Sequence, residues 1–346
     1  MKAFTLPRLA IPLLALAALS AAASALAQSP TPTHPCATAA QTTFPHTQIS
    51  NGQLNAVLYL PDPATGYYRG SRFDWSGVVP CLSYKGHTFF GVWFPHYDPK
   101  LHDAITGPVE EFRSADGQSA PFYDQAKPGD SFLKPGIGLL RRTDASPFLF
   151  TAPYPLVDGG RWIVHSTPTS VSFHQILKRT NGIGYVYKKT LRLDPHLPVL
   201  FIEHQLKNTG TQPIVTEVYD HDFFMLDNAP SGPGMTVTFP FEPKTEKPLG
   251  SGVQINGKQI VYTHELQTGE SGYGPITGFS ASPADYDITV ENTTTGVGVQ
   301  QTSTSPIARM VFWSIPTTIC PEAYIHLDIP PGQTARWTIR YRFFAK

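Results

Sequence analysis

The sequence predicts an all-β fold, with two large antiparallel sheets packed face to face in one sandwich. Short runs of β-branched and aromatic residues recur along the chain, and several alternate apolar and polar residues with period two. The 346 residues include 34 prolines and 28 glycines, enough to bound such runs with turns, and 15% are charged against 12% aromatic. No stretch offers a long amphipathic helix, and no repeat of solenoid or propeller period is present.

Taken in order, residues 54–60 and 89–94 open the series of strands. Gly107-Pro108 then introduces one short helical turn over 109–113. Residues 121–155 are dense in Pro, Gly and Asp and carry few strand signals, so long loops are expected there, and long loops in a compact β domain usually carry function. Strands resume over 162–165, 170–177 and 184–193. They continue through 199–206, 214–219, 236–239, 259–263, 287–291, 297–302 and 308–313, and 334–344 closes the chain.

The amino terminus speaks to compartment. Lys2 and Arg8 precede an Ala/Leu-rich run over 11–23 and a small-x-small site at Ala25-Leu26-Ala27, which together read as an export signal over residues 1–27. Residues 28–43 read as a flexible leader rich in Pro, Thr and Ala, and 44–346 as a single sandwich domain. Nothing later approaches ~18 uninterrupted apolar residues. The mature chain is therefore expected to be soluble, secreted or periplasmic, with no membrane contact once the signal is cleaved. Balanced charge, 26 basic against 26 acidic residues, gives no field that would gather nucleic acid, and it points to a neutral partner.

Three cysteines in an oxidising compartment leave one unpaired. Cys36 and Cys81, both in turn-like surroundings, are expected to pair and pin the leader to the body. That leaves Cys320, for which a buried structural thiol is the ordinary reading.

Two stretches carry the chemistry. The first runs from Asn208-Thr209-Gly210 through a strand to Tyr219-Asp220-His221-Asp222-Phe223-Phe224; the second is Phe312-Trp313-Ser314-Ile315-Pro316, then Pro321-Glu322-Ala323-Tyr324 and a Pro331-Gly332-Gln333 turn before the last strand. Here the chain resembles the aldose 1-epimerase (galactose mutarotase) superfamily. In that family an N-T-G-x-x-P turn leads to a strand ending in a His with aromatics behind it, and a Glu precedes a P-G-x turn and a closing strand. The resemblance covers roughly residues 170–344. It implies a galactose mutarotase-like supersandwich that binds carbohydrate, with Glu322 as general base, His221 as general acid and no metal or cofactor. General acid–base chemistry is an independent reason to pair a carboxylate with an imidazole: mutarotation moves a proton off the anomeric hydroxyl and another onto the ring oxygen, each group contributing roughly 10²–10⁴-fold. A His titrating near neutrality suits that cycle.

The chain departs from the family in its first half. Where relatives carry a His-Gly-Phe turn that orients the sugar, Lys134-Pro135-Gly136-Ile137 stands instead, and Arg141 shortly after it is the expected polar contact. The loop Arg72-Phe73-Asp74-Trp75 adds a guanidinium, a carboxylate and a ring suited to hydroxyl hydrogen bonding and stacking, so Arg72, Asp74 and Trp75 join the expected sugar contacts. Phosphate loops, dinucleotide fingerprints, His-Glu-x-x-His and Gly-x-Ser-x-Gly are all missing. The remaining alternatives are a noncatalytic carbohydrate-binding protein and a polysaccharide-acting enzyme on the same sandwich.

Overall fold

Alternation of apolar and polar residues becomes antiparallel pairing in a computed structural model that describes Met1 and residues 35–346; most of the expected export signal and the first part of the expected leader lie outside the described residues. One sheet has ten strands, in the spatial order Val253–Asn256, Gln259–Tyr262, Met235–Thr238, Asp287–Asn292, Val297–Ser303, Thr334–Ala345, Val199–Asn208, Ile183–Leu193, Ser170–Thr180 and Arg161–Thr167. A second has five, in the order Gly272–Pro275, Arg309–Ile315, Thr318–Ile329, Ile214–His221 and Val109–Arg113. Every ladder in both is antiparallel. Smaller sheets of four and three strands complete the all-β architecture, and among the described residues no helix is long and apolar enough to cross a membrane.

The two large sheets meet through the side chains that period two sends inward. Phe112, Val218, Ile325 and Phe312 of the five-stranded sheet join one core cluster with Tyr187, Ile202, Trp337 and Ile339 of the ten-stranded sheet. Phe112 is edge-on to both Tyr187 and Trp337, at 5.7 and 6.2 Å. Burying a side chain of that kind contributes about 1.5–3 kcal/mol.

Four expectations need correction. Residues 109–113 form a strand, because Val-Glu-Glu-Phe-Arg pairs along Ile214–His221 with Glu111 opposite Tyr219. Its two glutamates point to opposite faces and both find cations, which a helical turn would not have arranged. Within 121–155 the hairpin Ser131–Lys134 and Gly138–Arg141 folds onto Leu156–Asp158, so part of the expected loop is sheet. The run 89–94 is not strand, and only His87–Thr88 just before it pairs; Phe89 and Phe90 are both buried while Val92 is 58% exposed, so alternation fails and the chain leaves its ladder. The leader carries structure from Pro35, where two 3₁₀ turns, Pro35–Ala37 and Ala39–Gln41, follow each other. The reason is the expected Cys36–Cys81 disulfide (Cα–Cα 5.5 Å), which ties this segment to the four-stranded sheet with Cys36 fully buried.

Candidate active site

Alternation also builds a site on the other face of the five-stranded sheet. Along Ile214–His221, Tyr219 and His221 point away from the core; along Thr318–Ile329, Glu322 and Tyr324 do so; along Arg309–Ile315, Arg309, Val311 and Trp313 do so. The register sets Val311 opposite Glu322, Trp313 opposite both Cys320 and Tyr273, and Tyr219 opposite Glu111. Loops bring Arg72, Trp93, Asp103 and Phe150 over this face and close a cavity of about 550 Å³. Gly107 enters this region against the backbone of Asp222, whose carbonyl occupies the space a Cβ would need.

His221 is held from every side. Phe223 stacks on its ring at 3.8 Å, Trp93 stacks on Phe223 at 4.8 Å, and Phe73 and Trp313 meet the imidazole edge-on at 5.6 and 5.3 Å. Phe223 makes that stack from a left-handed backbone (φ 48°), a conformation an aromatic residue rarely adopts and one worth a functional reading. On one edge of the ring the Cys320 thiol lies 2.8 Å from Nδ1, and the same sulfur accepts the Asp222 N–H at 3.0 Å. On the other edge Nε2 lies 3.3 Å from a Glu322 carboxyl oxygen. Tyr324 donates its hydroxyl to the second Glu322 oxygen at 3.0 Å.

Burial moves these titrations toward neutral forms. Desolvation pushes Glu322 up to about 7 against the opposing pull of Arg72, and it drives His221 well below its usual range, with Arg72 adding to the fall. Burial also raises the Cys320 thiol, with the Glu322 charge next in effect. Deeper in, Glu111 loses solvation, but Arg72, Lys134 and Arg113 outweigh that and hold it well below the carboxylate range. Arg72 links the two layers, giving Nε to Glu111 at 2.8 Å, Nη1 to Asp103 and Nη2 to the Tyr219 hydroxyl at 3.3 Å.

Behind His221, Asp220 and Asp222 point between the sheets. The Tyr341 hydroxyl lies 2.6 Å from an Asp220 oxygen and 2.8 Å from an Asp222 oxygen. One phenolic hydrogen cannot serve two carboxylates, so one of these acids keeps its own proton. Burial accordingly raises both, Asp220 to about 8.

Of the six residues expected to contact sugar, Glu322, His221 and Arg72 line this cavity. Arg141, Asp74 and Trp75 do not. Arg141 is exposed, gives Nη1 to the Gly129 carbonyl at 2.7 Å and lines a separate surface cavity. Asp74 faces inward, accepting from Ser76 at 2.8 Å with Lys189 at 3.7 Å. Trp75 is buried with its indole N–H on the Gly70 carbonyl at 2.8 Å, in another cavity. These three share the loop or turn chosen from sequence, but neighbours in sequence point to different layers. Sequence reading missed Tyr219, Tyr324, Trp313 and Arg309, although each stands on the same face as His221 or Glu322 at two-residue spacing or across the ladder.

Donor atoms of His221, Cys320 and Glu322 lie within 4.8 Å of one another, as do those of Glu110, His204 and Asp220. The first set does not converge on one ion, because the thiol and the carboxyl sit at opposite ring nitrogens. In the second, the Lys189 ammonium already occupies Glu110.

No protein-family model matches the sequence, and no curated protein matches it significantly. Solved structures match in fold. A protein from Synechocystis superposes with a TM-score of 0.53 at 12% identity, over 88% of this chain and 97% of its own. A galactose mutarotase-like protein from Clostridium acetobutylicum gives 0.52 at 12%, over 86% and 95%. A GalM/aldose epimerase homologue from C. elegans gives 0.50 at 14%, over 87% and 98%. The chain has the galactose mutarotase-like fold.

Proposed function

We propose that the cavity binds a sugar and that Glu322 and His221 interconvert its anomers. The observation that carries this reading is the pair itself: a carboxyl and an imidazole 3.3 Å apart, both nearly buried, at the wall of a cavity lined by Trp93, Phe150, Tyr273 and Trp313. Aromatic faces suit the apolar faces of a pyranose, and a few fixed polar groups suit its hydroxyls.

Opening the ring moves one proton off the anomeric hydroxyl and one onto the ring oxygen as the bond from the anomeric carbon to that oxygen breaks. Glu322 takes the first and the Nε2 hydrogen of His221 supplies the second; the aldehyde turns, and the reverse steps close the ring on its other face. The pair needs one proton in total. Burial rests that proton on the carboxyl in the free protein, and transfer to Nε2 gives the working ion pair. Cys320 supports this cycle if its sulfur accepts the Nδ1 hydrogen, because Nε2 is then the nitrogen that gains and loses a proton.

A binding-only role is favoured by one feature, the lack of a histidine in the Lys134-Pro135-Gly136 turn; the Lys134 ammonium there is committed to the Phe112 carbonyl at 2.8 Å. Polarimetry on freshly dissolved α-D-glucose and α-D-galactose separates the two. Acceleration by the protein that Glu322→Gln and His221→Ala both abolish is the expected result; no acceleration over buffer with either sugar removes simple hexose mutarotation and leaves the binding and polymer-acting readings.

A further inference from the structure

The cavity holds more guanidinium than sugar hydroxyls require. Arg72, Arg113 and Arg309 all line it. Each carries five N–H groups, and protein acceptors engage three from Arg72, two from Arg113 and one from Arg309. Arg309 is the least committed. Its Nε binds Glu217 at 2.7 Å, while among the described residues Nη2 is buried with no partner and Nη1 has no hydrogen-bond acceptor. It is nevertheless fixed in place. The guanidinium lies 3.7 Å over the Tyr324 ring and presses on Gly117, where any Cβ would collide with it and where the backbone is left-handed (φ 69°).

Charge around the cavity is also uneven. Among the described residues the lining cations Arg72, Arg113 and Arg309 pair with Asp103, Glu111 and Glu217, and Lys134, also on Glu111, is buried behind the wall. Asp116, the remaining acid near Arg309, is exposed on a turn and does not line the cavity. Glu322, raised to about 7 by burial, carries about half a negative charge near neutrality. On the lining itself three guanidinium groups, those of Arg72, Arg113 and Arg309, face the carboxyls of Asp103 and Glu322, so the wall is richer in cations than the balanced whole chain, with Glu111 and Glu217 set behind it.

We propose that the sugar this cavity takes is anionic, a uronic acid whose single carboxylate is gripped by Arg309 with Arg113. The inference rests on the reading of the cavity as a sugar site. A planar carboxylate matches the guanidinium fork in two parallel hydrogen bonds, and the register sets Arg309 opposite Tyr324, two residues along the strand from Glu322 and on the same face. One pyranose carrying a carboxylate can thus reach both groups.

The test compares D-galacturonate and D-glucuronate with D-galactose and D-glucose, by calorimetric binding and by polarimetry, on the mature protein and on Arg309→Gln and Arg309→Lys. The expected result is uronate binding at least tenfold tighter than the matching hexose, weakening as salt screens the charge, with the ratio collapsing toward one in Arg309→Gln and partly restored in Arg309→Lys. Uronates bound no better than hexoses would overturn the proposal, as would a preference insensitive to salt. Should Arg309→Gln fail to fold, the salt dependence on unaltered protein still decides. Selective uronate binding without mutarotation keeps the anion site and rejects the epimerase reading, whereas hexose mutarotation without uronate preference does the reverse.

Discussion

The pH dependence of mutarotation follows directly from the buried pair. The working state holds one proton between Glu322 and His221. Two protons are present only below the depressed His221 titration, and none remain once Glu322 ionises near 7. Titration of two interacting groups gives macroscopic steps that belong to the pair. With the upper step at about 7, the one-proton fraction falls from about one half at pH 7 to about one hundredth at pH 9, so the rate after subtraction of the buffer reaction drops roughly 50-fold. Polarimetry at fixed ionic strength across pH 5–9 reads this limb. Glu322→Gln should remove it and lower the plateau by about 10²–10⁴-fold; Gln is close in shape and can still accept the Tyr324 hydroxyl. A protein-dependent rate that climbs through pH 9 would refute the reasoning, as would an alkaline limb that survives in Glu322→Gln.

Other perturbations separate parts of the account. Cys320→Ser should keep a hydrogen-bonding partner on Nδ1 and most of the activity, whereas Cys320→Ala should lower kcat about tenfold or more with little change in KM; imidazole ¹⁵N shifts would follow the tautomer in both, and equal behaviour of the two variants would contradict the role given to the thiol. Tyr273 is 62% exposed at the cavity, so Tyr273→Ala should leave the melting temperature in place and weaken sugar binding by about 1 kcal/mol, near fivefold; unchanged affinity would remove it as a stacking surface. Stability should fall as pH rises from about 4 to 8. Asp220, Asp222 and Glu322 keep protons in the folded chain, Asp220 up to about 8 and Glu322 up to about 7, that the unfolded chain has already released, and together they outweigh His221, whose burial-lowered titration acts in the opposite sense up to the ordinary imidazole range. Glu110, held near 2 by Lys189 and His204 against its burial, and Glu111 act in the opposite sense, their contribution being lost only as pH falls below the ordinary carboxylate range. Melting points at pH 5 and pH 8 should therefore differ, and Asp220→Asn should narrow the gap; a larger gap in that variant would count against the protonated Asp220.

Much of the sheet was legible because alternation is a local property. Ser170–Thr180 and Ile183–Leu193 announce their faces residue by residue, and their burial follows the same alternation. Val109–Arg113 was not legible: two adjacent glutamates buried on opposite faces look like a solvated turn until Lys189 arrives from a distant strand and Arg72 from a distant loop. At the site, His221 and Glu322 were singled out because their surroundings resemble a known pattern, and the structure places them together. Arg309 and Trp313 could have been proposed once 308–313 was recognised as the hairpin partner of the Glu322 strand. Asp74, Trp75 and Arg141 misled for the converse reason. Proximity to Arg72 or to a turn in sequence does not say which of several layers a side chain enters, and only the pairing of distant strands decides that.

The measurement that bears most directly on the paired role of Glu322 and His221 is mutarotation by the wild type, Glu322→Gln, His221→Ala and the double variant, under one set of conditions with each of the sugars named above. If the two residues act as one proton-sharing unit, each single substitution should cost nearly as much as both together. Independent, multiplying losses would contradict the account, and so would a rate in either single variant close to that of the wild type.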